Sequence, residues 1–356
     1  MNKRIVIMAG GTGGHVFPAL AVAQMMRASG WQVSWLGTEK GLEQRVATEN
    51  GFALDYLSVA GLRGKGLFFK IKALLLIFKA CWQARRVLKQ RQPAVVLGMG
   101  GFVAGPGGLM AKLLGIPLII HEQNRVVGTT NRLLARVATR VLEAFPDSFP
   151  AKVGAVCVGN PLREAFVDAN APVSQHSEQG LKLLVIGGSQ GAKVLNETLP
   201  QAVALFQKTS AVPLQIKHQT GAAMRDEVAA QYSDLGVDAQ VFAFIDDMVA
   251  VYAWADMIVC RAGAMTVSEV AAMGLPSIFI PLQGAIDDHQ SANARYLTQA
   301  GAALLLPQKD LTPQTLAPLI EQVMINKDMM HKAALQCARL QATHEVARIC
   351  SAEAKV

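Results

Sequence analysis

The stretch "RIVIMAGGTGGHVFPAL", Arg4 to Leu20, runs from an apolar, β-branched segment into four glycines around Thr12 and then into residues that suit a helix. β-Branched residues favour a buried parallel strand. Glycines let the chain turn tightly and approach a ligand, and the start of the following helix offers unpaired N–H groups to an anion. Strand, glycine turn and helix in this order make the first unit of a doubly wound α/β domain, and a phosphorylated ligand suits such a turn. The dinucleotide fingerprint G-x-G-x-x-G is not met, because His15 and Val16 follow Gly11, Gly13 and Gly14 where its last glycine would fall. The second strand, "WQVSWLG", ends in Gly37 with no acid at its tip to hold a ribose, although Glu39 is close. A nicotinamide or flavin enzyme is disfavoured on both counts.

The same grammar returns at "LKLLVIGGSQGAKVLNETL", where Gly187, Gly188, Ser189 and Gly191 stand 177 positions after Gly10, Gly11, Thr12 and Gly14. Two similar α/β domains are expected. Between them "VDANAPVSQHSEQG" is polar, contains a proline and lacks periodicity, so it reads as a linker. The first domain is expected over 1–160, ending after the strand in "GAVCVG". The second is expected over 161–340, with the last helix, 341–356, packing back on the first. Strands are predicted at 4–9, 32–36, 94–98, 117–121 and 139–143, then at 182–187, 213–217, 239–242, 257–260, 277–280 and 302–305. Alternation of strand and helix means parallel sheets with ligands beyond the carboxyl ends of the strands. Two domains with facing carboxyl ends would enclose a cleft.

A chain of 356 residues has room for two such cores, and apolar and charged shares of 51% and 17% exclude disorder. The start opens as a charged strand rather than a signal peptide, and no apolar run approaches a membrane span. Five cysteines without a CxxC argue against a disulfide framework or zinc site and read as buried thiols in a reducing cytosol. The net charge of +8 is concentrated: between Tyr56 and His121 there is no Asp or Glu, while ten Lys and Arg fall there. Such a face needs an acidic partner: nucleic acid, anionic lipid or a phosphorylated substrate.

Four stretches could carry chemistry. "AGGTGGH", "GMGGFVAGPGG" and "GGSQGA" are glycine turns at strand ends, and "CRAGAMTVSEV" places Thr266, Ser268 and Glu269 at a helix start. Hydroxyls and amides there suit a diphosphate, and a carboxylate one turn in suits ribose hydroxyls; an ordinary capped helix is the alternative. Asp287, Asp288, His289 and Gln290 precede a further helix. Adjacent carboxylates are poorly spaced for one metal ion, so hydrogen bonds to a polyhydroxylated ligand are favoured and no metal site is expected. Asp246 and Asp247 read as helix caps. Without G-x-S-x-G or a cysteine beside a histidine, direct transfer to an acceptor hydroxyl with help from a base is favoured over a covalent intermediate. His15 and, less strongly, Glu122 are the candidate bases; a loop-holding imidazole remains open for His15.

With these pieces in place, the sequence resembles the MurG family over almost its whole length. The motifs are "GGTGGHVFPALA", "GLRGKG", "GMGGFVAGPGG", "HEQN", "GNPLR", "GGSQGA", "FIDDM", "RAGAMTVSE" and "DDHQ". The resemblance implies a GT-B fold of two Rossmann-like domains and an inverting, metal-independent transferase without a cofactor. Its donor would be UDP-N-acetylglucosamine and its acceptor the undecaprenyl-linked N-acetylmuramyl pentapeptide of peptidoglycan synthesis. It implies a peripheral place on the cytoplasmic side of the inner membrane and leaves other cell-wall synthesis proteins open as partners. By the same resemblance Ile245 would touch uracil through its backbone and Glu269 the ribose. Ser189, Ala264, Met265, Thr266, Val267 and Ser268 would line the ribose and diphosphate. Arg163 and Gln290 would meet the donor, the glutamine at its sugar, while Thr12, Gly13, Gly14 and Asn124 would lie near the sugar and acceptor.

A helix from Gly66 to Arg91 stacks Lys65, Lys72, Lys79 and Arg86 seven apart, with Ile71, Leu75, Phe78 and Trp82 in a bulky strip beside them. Ala73, Ile77, Ala80, Ala84 and Leu88 face elsewhere and suit packing on the sheet. Large apolar residues beside cations describe a helix lying on an anionic bilayer. Rival readings are another GT-B enzyme, such as a UDP-sugar epimerase or a soluble-acceptor transferase, and a nucleic-acid-binding protein. The last is disfavoured by the scarcity of aromatics in the basic region and by the glycine turns.

Overall fold

Every strand pairing among the described residues is parallel, as the alternation of apolar strands and helices requires. The computed structural model describes residues 3–59, 67–169, 180–188, 191–284 and 286–355, without the side chains of 67–73 and of Ile286. The chain divides into two units, Met1–Arg163 with Arg339–Val356, and Glu164–Ala338.

Unit 1 runs β1 (Arg4–Met8), α1 (Gly13–Ala28), β2 (Gln32–Gly37), α2 (Leu42–Glu49), β3 (Ala53–Tyr56), α3 (Leu67–Arg91), β4 (Val95–Gly98), α4 (Ala104–Leu113), β5 (Leu118–Glu122), α5 (Thr129–Leu134), β6 (Arg140–Glu143) and β7 (Val156–Cys157). Its sheet has the order β3-β2-β1-β4-β5-β6-β7. Because side chains alternate across a strand, β1 feeds both layers. Ile5 and Ile7 pack with Val16, Leu20 and Met26 of α1 and with Val346 and Cys350 of the C-terminal helix, Ala342–Glu353. Val6 and Met8 pack on the other face with Ala84 and Leu88 of α3 and Met110 of α4.

Unit 2 follows the same plan with β8 (Leu181–Ile186), β9 (Leu214–Gln219), β10 (Ala239–Phe242), β11 (Met257–Cys260), β12 (Ser277–Phe279) and β13 (Ala303–Leu305), in the order β10-β9-β8-β11-β12-β13. Its helices are α6 (Glu164–Asp168), α7 (Lys193–Thr209), α8 (Arg225–Asp234), α9 (Met248–Trp254), α10 (Ala264–Ala272), α11 (His289–Gln299) and α12 (Pro313–Cys337). In each sheet the chain reverses its direction of travel between the first and fourth strands, β1 and β4 in one unit, β8 and β11 in the other. Ligands of open α/β sheets bind in the crevice at that switch point, and the glycine turns fall there.

Two expectations need correcting. β3 went unpredicted: it is a short edge strand with Asp55 in its middle, and its residues are exposed or half-buried. Arg91 at the end of α3 anchors it through paired bonds to Asp55 of 2.8 and 3.1 Å. Ile77 does not pack on the sheet but is 49% exposed, because among the described side chains of α3 full burial begins at Ala80. From that point Ala80, Ala84 and Leu88 are buried as expected, whereas Leu74, Leu75, Phe78 and Trp82 stand in solvent. No described helix is long and apolar enough to cross a membrane.

Candidate active site

In unit 2 the second glycine turn leaves β8 and packs against the end of β9. A Cβ on Gly191, whose φ is +74°, would fall 1.8 Å from the Thr220 carbonyl oxygen, so only glycine permits this approach. Asn196 donates to the same carbonyl at 2.9 Å. Gln219, buried at the tip of β9, donates to Gly188 O at 3.0 Å and accepts from Ile245 N–H at 2.8 Å. One neutral side chain thereby holds both the glycine turn and the segment ahead of α9. Asp247 caps α9 by accepting from Ala250 N–H at 3.0 Å, the capping role expected for it.

Beside this turn, Arg261 follows the end of β11 and α10 begins after Gly263 with no side-chain cap. The first-turn N–H groups of α10 have no intrahelical partners and carry the positive end of the helix dipole. Arg261 donates through one nitrogen to the carbonyls of Ile280 and Pro281, at 3.0 and 3.3 Å, and burial lowers its pKa while leaving it a cation. Gln290 accepts from Leu282 N–H at 2.9 Å through its oxygen, which turns its amide nitrogen to other partners. Gly188, Gly191, Arg261, Gly263, Thr266 and Gln290 line one cavity of about 510 Å³. Asp287 and Asp288, ahead of α11, both adopt left-handed backbone, at φ 53° and 48°. Such strain in non-glycine residues collects at ligand sites.

The remaining expected donor residues on α10 have different surroundings. Glu269 is half-buried, accepts from the Tyr252 hydroxyl at 3.4 Å, and is not in the cavity lining. Ser268 donates to Ala264 O at 3.0 Å, bonding its own helix's backbone without capping it. Ala264 is buried and Met265 half-buried. Val267 turns its side chain into the core and its N–H to Gly263 O at 2.9 Å, so neither is offered to a ligand. Ser189 lies outside the described residues, and Arg163, half-buried, closes the first stretch of unit 1.

In unit 1 the turn after β1 is built differently. Glu43 of α2, fully buried, accepts from Gly11 N–H at 3.1 Å through one oxygen and from Thr38 N–H and hydroxyl, at 3.0 and 2.6 Å, through the other. The acid beside this turn is thus Glu43 rather than the exposed Glu39. A buried carboxylate under the turn occupies a donor and repels a second anion, so the diphosphate is better served in unit 2. Thr12 is exposed, and Gly13, Gly14 and His15 are half-buried at the start of α1. His15 Nδ1 lies 2.7 Å from Gln123 Oε1.

Glu122 at the end of β5 is 2% exposed and fully engaged. Its Oε1 accepts from Asn124 N–H and Nδ2 at 3.0 and 3.4 Å, and its Oε2 from Gly128 N–H and Asn131 Nδ2 at 3.1 and 2.9 Å. Four donors from the loop and the α5 turn that follow it occupy both oxygens and hold that segment, an arrangement that suits a brace better than a proton acceptor. Among the described residues no group of three or more His, Cys, Asp or Glu is placed to hold a metal.

Two doubly wound parallel units, each with glycine turns at its switch point, have the architecture of GT-B enzymes, and the family models give the class as glycosyltransferase. The model of the glycosyltransferase family 28 N-terminal domain matches residues 5–143, and that of the family 28 C-terminal domain residues 182–349. The chain belongs to the MurG family within that class. It is 54% identical over 360 residues to the UDP-N-acetylglucosamine–N-acetylmuramyl-(pentapeptide) pyrophosphoryl-undecaprenol N-acetylglucosamine transferase of Methylococcus capsulatus, covering 99% of each chain. To the protein of the same name from Nitrosococcus oceani it is 51% identical over 355 residues, 98% of each. The crystal structure of Acinetobacter baumannii MurG is 42% identical, with a TM-score of 0.85, over 98% of this chain and 99% of that one.

Proposed function

We propose that this protein moves N-acetylglucosamine from UDP-N-acetylglucosamine to the C4 hydroxyl of undecaprenyl-diphospho-N-acetylmuramyl pentapeptide, with inversion and without a metal ion, on the cytoplasmic surface of the inner membrane. Unit 2 binds the donor and unit 1 the acceptor. The observation that carries the donor half is the cavity in which the glycine turn, the uncapped start of α10, Arg261 and Gln290 converge. Helix dipole and guanidinium together stabilise the charge that grows on a departing diphosphate, the task a metal ion performs elsewhere. Ile245, whose N–H is held by Gln219, presents its backbone to the uracil, and Glu269 takes the ribose hydroxyls.

The acceptor is a secondary alcohol and needs a base at its oxygen. His15 is that base: as the C4 oxygen attacks the anomeric carbon, its proton passes to the imidazole. The bond from that carbon to the β-phosphate oxygen breaks, and UDP leaves with the electron pair. Thr12, Gly13, Gly14 and Asn124 surround this step. The exposed Leu75, Phe78 and Trp82 of α3, beside exposed Lys79 and Arg86, give the enzyme its hold on anionic lipid. Ile71 and Lys72 belong to the same strip by sequence, their side chains lying outside the described residues.

The reading is tested by following sugar-labelled donor with the lipid-linked acceptor present or absent. Label should enter the lipid phase only with acceptor. Acceptor-independent conversion to another UDP-sugar would replace transfer by epimerisation.

A further inference from the structure

His121 and Gln123 are both fully buried, and neither is assigned a ligand, yet a continuous chain of bonds runs from them to His15. His121 Nε2 lies 2.8 Å from Gly159 O, Gln123 Nε2 lies 3.0 Å from His121 Nδ1 and 3.1 Å from His121 O, and His15 Nδ1 lies 2.7 Å from Gln123 Oε1. A carbonyl only accepts, so His121 carries its proton on Nε2. Burial lowers the His121 pKa to about 4, so at neutral pH the ring is uncharged and Nδ1 is an acceptor. Both hydrogens of the Gln123 amide are then used on the His121 side. Turning that amide over would set its oxygen against the Nδ1 lone pair and the His121 carbonyl, acceptor facing acceptor, and leave Nδ1 without a donor. Gln123 Oε1 therefore faces His15, and the nitrogen opposite it must donate.

We propose that Gln123 and His121 are positioning residues that fix the tautomer of His15, with the proton on Nδ1 and the lone pair on Nε2. The ring's attitude is set as well. Gly100, at φ +97°, lies close beside it, where a Cβ would sit 3.0 Å from His15 Cε1 and 3.1 Å from Nδ1. Free imidazole favours the opposite tautomer, with the proton on Nε2, which could not accept from an alcohol at that atom. The "HEQ" segment and the "GMGG" turn together hold His15 in the form that a base requires. The catalytic consequence rests on His15 being the base; the tautomer itself does not.

The test is nitrogen-15 spectroscopy of the full chain labelled at histidine, with the His15 signals assigned by their loss in His15→Ala and read where the ring is neutral. Wild type should show a protonated, pyrrole-type Nδ1 and a pyridine-type Nε2. Gln123→Met removes the acceptor at similar volume: the ring should shift toward the Nε2-protonated form, and kcat should fall about tenfold or more with donor KM nearly unchanged. Gln123→Glu keeps an acceptor facing His15 while His121 takes up a proton at Nδ1 to meet the second carboxylate oxygen, and it should retain the His15 Nδ1 proton and more of kcat than Gln123→Met. A wild-type ring protonated on Nε2, or a tautomer indifferent to Gln123→Met, overturns the proposal. Normal turnover by His15→Ala would instead remove the base assignment while leaving the tautomer result standing.

Discussion

Replacing Leu75, Phe78 and Trp82 together by Ser should detach the protein from anionic bilayers without unfolding it. The three side chains are 65%, 68% and 62% exposed, so about two-thirds of each is available to a lipid surface. Full burial of such a side chain gains roughly 1.5–3 kcal/mol, and the exposed share of three comes to roughly 3–6 kcal/mol. At about 1.4 kcal/mol per factor of ten, vesicle partition should fall by roughly 10² to 10⁴. Exposed Lys79 and Arg86 would add about 1 kcal/mol each at an anionic surface, a share that salt screens. The fold should barely notice, since a truncated core side chain costs about 2–5 kcal/mol and these three are not in the core. Sedimentation with anionic vesicles measures the attachment, thermal unfolding the fold, and UDP titration the integrity of unit 2. A triple variant that still sediments fully, or one that unfolds, would refute the reasoning, as would a wild type indifferent to lipid charge and salt.

Glu269→Ala should weaken UDP binding by roughly 1.5–3 kcal/mol, the range for hydrogen bonds to a charged group, with less effect on the chemical step; titration of equal affinities would remove Glu269 from the donor site. Gly191→Ala should lower both thermal stability and UDP affinity, because its Cβ would meet the Thr220 carbonyl and its φ is left-handed; the cost should exceed about 1 kcal/mol. Gly236→Ala, also left-handed but with open space at its Cβ position, should keep UDP affinity. Acid should destabilise the protein before its carboxylates titrate. Burial lowers His121 to about 4 and His218 to about 3, so the unfolded chain takes up protons near pH 6.5 that the native state refuses. The stability from both rings is complete above about pH 6.5 and is lost as pH falls, at about 1.4 kcal/mol per pH unit for each. Urea unfolding between pH 7.5 and 5 measures this slope, and a flat profile would contradict it.

The apolar runs of β1, β4, β8 and β11 were enough to read two parallel sheets, because a strand buried on both faces has to be largely apolar. β3 escaped because an edge strand is free of that demand and Asp55 answers to a distant Arg91. On α3 the periodicity placed Ala80, Ala84 and Leu88 inside and failed at Ile77, since a helical face is buried only where another layer lies beneath it. The glycine turns, the α10 start and Gln290 were legible as motifs. Their supports were not: Glu43, Gln219 and Gln123 act through contacts across 32, 31 and 108 positions of sequence, and a lone Glu or Gln carries no periodic signal. The nearest hint for Glu43 was the absence of an acid at the tip of β2, where the sequence directed attention to Glu39.

The most direct test of the central claim is the anomeric configuration of the product. UDP-N-acetylglucosamine, whose sugar is α-linked, is incubated with the lipid-linked muramyl pentapeptide and the purified protein in EDTA, and the proton coupling at the new glycosidic carbon is measured. Direct displacement by the C4 oxygen predicts a β-linked disaccharide on the lipid, formed together with UDP and undiminished by the chelator. An α-linked product would contradict single displacement, loss of turnover in EDTA would contradict metal-free departure of UDP, and release of free sugar alone would contradict transfer itself.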